Sequence, residues 1–357
     1  MQAMVRWSKT VVSLLLLFSI AVGQDTTDEY VESFRHGIKA LRARGFDTAI
    51  TDFRRCLELR PNEATCAYNL ACAYSLKGDP EPALAWLERA VDWGYGYLEG
   101  RVERVAADAD LDSVRADPRY GAAIERMRAM RERARAYAAK PAVYVPEALA
   151  DDEKLGVLLV LHPLGETKDE VVSGRWRKIA DSLGLALVAP SGRFPTGTDP
   201  EKGMGWYDSL MAYVASPATY ESSVLEALDA FVSEHEIDPA KVLLAGEGQG
   251  GALALDVALD SPGRFAGVLV VNAAPFEQIL APRAAQAGKS APKVRFLLER
   301  GSIFGLLPTE DPDAWSTRLR EDFERWHLPA TIEFAAPPEP GAPKLDESIE
   351  RTLRAML

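Results

Sequence analysis

The sequence predicts a multidomain chain: all-α helical repeats over residues 28–137, followed over residues 141–357 by a mainly parallel sheet with helices on both faces. Three observations predict it. Apolar residues of the first segment recur with a 34-residue period: Ala49, Phe53 and Cys56 return as Ala83, Leu87 and Ala90. Beyond Lys140, short apolar runs alternate with stretches of helical spacing. Within that alternation, residues 243–255 read as a buried strand, a glycine-rich turn and a helix.

In the first segment small residues fall where paired helices cross, with Gly37 repeating as Ala71 and Pro61 closing the first unit. Residues 68–74 and the turn Lys77-Gly78-Asp79 resemble helix A and the turn of a tetratricopeptide repeat, although Gly45 lies one residue off the register of Gly78. Residues 108–120 resemble the capping segment of such arrays, and an Arg- and Ala-rich helix runs on to about Ala139. The resemblance implies a groove for a protein or peptide partner; a spacer or dimer surface is the alternative for so short an array. Cys56, Cys66 and Cys72 read as small buried hydrophobes, with a Cys56–Cys66 bridge between successive helices as the alternative. Their spacing, with no histidine at the required interval, fits no metal site.

In the second segment strands are expected at 142–145, 156–161, 185–188, 241–245, 267–271, 294–298 and 330–334, and helices at 220–235, 252–260, 313–326 and 346–357. Pro141 and Pro146 place the first strand at a sheet edge. The order of motifs resembles the α/β-hydrolase superfamily, in particular the phospholipase/carboxylesterase and polyester-depolymerase-like esterases. Residues 157–167, with His162, Leu164 and Gly165, are similar to the strand and loop that carry part of the oxyanion hole, and Gly205-Trp206-Tyr207-Asp208 to the Trp-aromatic-Asp segment. Gly246-Glu247-Gly248-Gln249-Gly250 is similar to the G-x-S-x-G elbow, with glycine where the nucleophilic serine belongs. A dinucleotide loop fits these glycines less well, because the first strand-turn-helix of the domain lacks that fingerprint.

Acyl transfer on this architecture needs a nucleophile, a histidine to take its proton and an acid to orient the histidine, in the chain order serine, acid, histidine. Gly248 offers no attacking atom. The acid belongs after the strand at 294–298, where Asp311 is the candidate. The histidine belongs in residues 335–345, which hold none; the four histidines are His36, His162, His235 and His327. No catalytic residue is therefore assigned. His162, Leu164, Gly165, Trp206 and Gln249 are the expected binding residues of a vestigial pocket for a small apolar or ester-like ligand.

Residues 1–23 read as a cleavable export signal: Arg6 and Lys9, an apolar run from Val11 to Val22, then small residues before Gln24. The run of about 12 residues falls short of the roughly 20 that span a bilayer, so no stable membrane anchor is expected. Loss of Arg6 and Lys9 takes the net charge from −12 to −14, which disfavours nucleic acid and anionic membranes as partners. The expectation is a periplasmic or extracellular, catalytically inactive hydrolase-fold protein that binds a protein or small ligand and needs no cofactor or metal. The alternative is an active carboxylesterase with a relocated centre, drawing on Asp311 or His162. A purely structural module with a filled pocket is the third reading.

Overall fold

A computed structural model describes residues 29–97, 100–149, 154–197, 199–207, 218–274, 277–287, 291–299, 303, 311–328, 330–334 and 344–357. The expected export signal lies outside them. The chain divides into two compact units between Glu132 and Arg133.

The first unit is helical. Helix α1 (29–42) and α2 (Phe46–Leu59) form one antiparallel pair, and α3 (Ala64–Lys77) and α4 (Pro80–Asp92) the next; α5 (Arg101–Ala107) and α6 (Pro118–Ala138) follow. The 34-residue period is visible atom by atom at the turns. The Gly78 amide bonds the Ser75 carbonyl and the Asp79 amide the Tyr74 carbonyl; 34 residues earlier, the Arg44 amide bonds Leu41 and the Gly45 amide Ala40. Gly78 adopts φ +92°, and Arg44 takes the same left-handed turn at φ +61°. The apparent misregister of Gly45 thus disappears: the repeat is kept, and an arginine occupies the position that favours glycine. Ala49, Phe53, Cys56, Ala83, Leu87 and Ala90 are all fully buried, as the period requires. The three cysteines are buried free thiols.

The second unit is a seven-stranded sheet in the order β1-β3-β2-β6-β7-β8-β9. Its strands are β1 (Ala142–Tyr144), β2 (Leu155–Leu161), β3 (Ala186–Ala189), β6 (Ile237–Glu247), β7 (Gly267–Val271), β8 (Lys293–Leu298) and β9 (Ala330–Phe334). β1, short and next to prolines, is the antiparallel edge strand; every other pairing is parallel. β4 (Phe194–Pro195) and β5 (Met204–Gly205) form a separate two-residue ladder that no sequence periodicity announces.

Alternate residues of each strand serve opposite faces. Val157, Leu159, Leu244, Val268 and Phe296 pack beneath α9 (Ala218–Glu234), α10 (Gln249–Asp260), α11 (Glu277–Ala287) and α12 (Pro312–Arg325). Leu158, Val160, Leu243, Leu269 and Leu297 pack beneath α7 (Lys168–Ser173), α8 (Arg175–Leu183) and α13 (Leu345–Arg354). Burial on both faces explains why the strands read as continuous apolar runs rather than as alternation. Among the described residues no helix is long and apolar enough to cross a membrane.

Candidate active site

Because β2 and β6 to β9 are parallel, their C-terminal ends share one edge of the sheet, and the residues following them meet there. His162 follows β2, Gly248 follows β6, Asn272 follows β7 and Glu299 follows β8.

The turn at Gly248 keeps the elbow conformation, with φ +54° and ψ −121°. Its amide donates to Val271 (2.9 Å), and its carbonyl accepts from Ala252 in the first turn of α10. The flanking glycines are demanded by close approach. A Cβ on Gly246 would sit 2.3 Å from the Gly250 carbonyl oxygen, and one on Gly250 2.5 Å from the carbonyl oxygens of Leu161 and His162. The strand-to-helix crossing is therefore intact while its apex carries no side chain. Neither neighbour replaces it. Glu247 forms an ion pair with Arg175 of α8, which also reaches Asp346 at 3.6 Å. Gln249 is buried; its Oε1 accepts from the Trp206 amide (2.6 Å) and its Nε2 donates to the Tyr207 carbonyl (3.2 Å).

All five expected binding residues come together around this turn. The Trp206 indole Nε1 donates to the His162 carbonyl (2.8 Å), and the two rings stack at 4.8 Å. The Gly165 amide donates to Met204 (2.9 Å), tying the loop after β2 to β5. Their exposure divides them. His162, Trp206 and Gln249 are buried and spend their polar atoms on one another and on backbone, so they form the inner wall of the site; Leu164, at 52% exposure, and Gly165 face outward.

His162 is fixed at both ring nitrogens: Nδ1 pairs with the Pro163 carbonyl (2.8 Å) and Nε2 accepts from the Gly192 amide (3.0 Å). This pattern selects the neutral Nδ1–H tautomer. Burial pushes its pKa down to about 4, partly offset by the Pro163 carbonyl. His235 and His327 precede β6 and β9, on the opposite edge of the sheet, at least about 15 Å of strand rise from the elbow. His235 stacks on Phe231, and His327 sits in the turn after α12. His36 belongs to the helical unit, where Nδ1 meets the Asp52 carboxylate at 2.6 Å. Residues 335–343, where the resemblance places the base, lie outside the described residues; the sequence there contains no histidine.

Asp311 caps α12, accepting from the amides of Asp313 (3.2 Å) and Ala314 (3.4 Å). A different carboxylate stands at the C-terminal edge of the parallel strands. Glu299, the first residue after β8, accepts from Asn272 Nδ2 (2.9 Å), while its amide donates to Asn272 Oδ1 (2.7 Å). Asn272 holds φ +49° to make both bonds. Sequence reasoning missed this pair, whose one signal is an Asn and a Glu each directly following an apolar strand. Among the described residues the second unit thus offers a strand edge with a carboxylate, an elbow without a nucleophile and a histidine committed to backbone.

Residues 139–286 match the family model described as Esterase PHB depolymerase, and residues 64–93, spanning α3 and α4, match the tetratricopeptide-repeat model. The first match ends within α11, before β8 and β9. Similar solved structures include esterase PE8 (15% identity over 61% of this chain and 99% of that one, TM-score 0.47). The S-formylglutathione hydrolase FrmB from Staphylococcus aureus aligns at 17% identity over 60% and 88% (TM-score 0.42). A carboxylesterase from Mesorhizobium loti aligns at 18% over 56% and 88% (TM-score 0.42). No curated protein matches the chain. The architecture is a tetratricopeptide-type helical array followed by an esterase-like α/β-hydrolase domain.

Proposed function

We propose that this chain is an exported pseudo-hydrolase, a binding protein built on an esterase frame from which the hydrolytic centre has been lost. The observation that carries the reading is Gly248: the elbow is preserved in backbone and in its flanking glycines, yet its apex has no atom to attack a carbonyl. The base is wanting too, since His162 cannot take a proton without breaking a buried backbone contact, and the sequence after His327 holds no other histidine. Losing nucleophile and base together removes the unit that performs acyl transfer.

Binding is what the frame can still do. The helical unit offers a groove to a protein or peptide, and the outward residues Leu164 and Gly165, on the loop beside Gly205, offer a short apolar surface to a small ester-like ligand. Export rests on the leader-like residues 1–23. Hydrolysis of p-nitrophenyl butyrate by the purified chain tests the reading. The expected rate equals that of buffer; saturable turnover would establish the rival, an active esterase with a relocated centre.

A further inference from the structure

The last turn of α2 and the first turn of α3 each carry a cysteine, Cys56 and Cys66, on either side of the connection 60–63. Both side chains are fully buried, and both are free thiols. They meet across the helix pair: the Cys66 thiol donates to the Cys56 sulfur, and the Cys56 thiol donates to the Tyr30 carbonyl at 3.9 Å. The Tyr30 hydroxyl in turn bonds Cys66, so the first turn of α1 covers the pair at both ends. Glu63 fixes the backbone at Cys66, accepting from its amide at 2.8 Å. The bond from Cys66 holds the Cys56 thiol below its ordinary pKa, while that same bond and burial push the Cys66 thiol up. Cys72 stands apart: further along α3, it pairs with Tyr68 and lies in the apolar core of the helical unit.

We propose that Cys56 and Cys66 are a redox pair that closes to a disulfide across the connection of α2 and α3, stapling the two helices and leaving Cys72 a thiol. The oxidant is a disulfide, either a small molecule or a protein. Cys56, the more acidic thiol, loses its proton to solvent and attacks one sulfur of that disulfide; a mixed disulfide forms, and the oxidant's other sulfur leaves as a thiolate. Cys66 then gives up its proton and attacks the Cys56 sulfur, which forms the internal S–S bond and expels the oxidant's second sulfur. In sum, two cysteine thiols lose two hydrogens and one external disulfide gains them. A buried pair is reached by local opening, and the first turn of α1 is the element whose fraying uncovers it, which makes Tyr30 the gate. Export, as proposed above, supplies oxidants of this class; closure is a property of the chain itself and does not depend on it.

The test is incubation of the whole folded chain with oxidised glutathione, followed by maleimide labelling in denaturant and intact-mass measurement. The expected product lacks two hydrogens, takes up one maleimide in place of three, and reverts with dithiothreitol. Cys72→Ala should still close the bridge, whereas Cys56→Ala and Cys66→Ala should not. Should either of these fail to fold, cleavage of the oxidised wild type at Glu58 and Glu63, which separates Cys56 from Cys66, gives the same assignment from the linked peptides. The oxidised helical unit should melt roughly 5–10 °C higher, and Tyr30→Ala should speed closure several-fold. Retention of three reactive thiols, a stable glutathione adduct in place of the bridge, a bridge that includes Cys72, or an unchanged melt would overturn the proposal. Closure at the wild-type rate in Tyr30→Ala would overturn the gate.

Discussion

His162 shows how a residue type associated with catalysis becomes part of the wall. Its pKa of about 4 in the folded chain lies below the 6.5 of an exposed imidazole, so between these values only the unfolded chain binds the proton. Its contribution is therefore complete above pH 6.5 and is lost as pH falls toward 4, amounting to about 3 kcal/mol at full extent. Urea denaturation of the wild type at pH 7 and pH 5 should show that loss. His162→Ala should lower stability at pH 7 by about 2–4 kcal/mol and flatten the difference between the two pH values. Arg44 invites a change of the opposite sign. A non-glycine residue at φ +61° carries a strain that Arg44→Gly removes, and a gain of about 1 kcal/mol in the denaturation of the helical unit is expected.

At the scale of elements, the elbow is a crossing of β6 and α10 whose geometry is fixed by packing and not by chemistry. Gly250→Ala would drive a methyl into two carbonyl oxygens of the β2 end and should cost at least 3 kcal/mol or prevent folding, read by a thermal melt. Gly248→Ser carries the backbone penalty of φ +54°, about 1–3 kcal/mol, and should fold yet restore no esterase activity. On the helical face, Glu221 of α9 and Arg283 of α11 form a buried, bidentate ion pair. Arg283→Ala strands the carboxylate and should cost about 3–5 kcal/mol, whereas Glu221→Leu combined with Arg283→Met should recover most of it. The sheet was legible in the sequence because strands buried on both faces announce themselves as apolar runs; all seven appear within a few residues of their expected bounds. The β4–β5 ladder was not, since two residues carry no period. Helix α11 escaped notice because Pro282 interrupts its pattern. At the candidate site the elbow glycines could be read from spacing, but the Asn272–Glu299 and Arg175–Glu247 pairs join residues far apart in sequence and became visible only with the fold.

For the molecule as a whole, two units of different class follow one another in the chain. The helical array encloses a cavity lined by both arginines and aspartates, and the sheet presents a strand edge whose elbow carries Gly248 at its apex. The central claim is that this edge has no activated nucleophile. Intact-mass measurement after incubation with a fluorophosphonate tests it most directly, because the probe traps any serine poised by a base, wherever it lies in the chain. The account predicts that the wild-type mass stays unchanged, in Gly248→Ser as in the parent; stoichiometric addition of one phosphonyl group to the wild-type chain would contradict it.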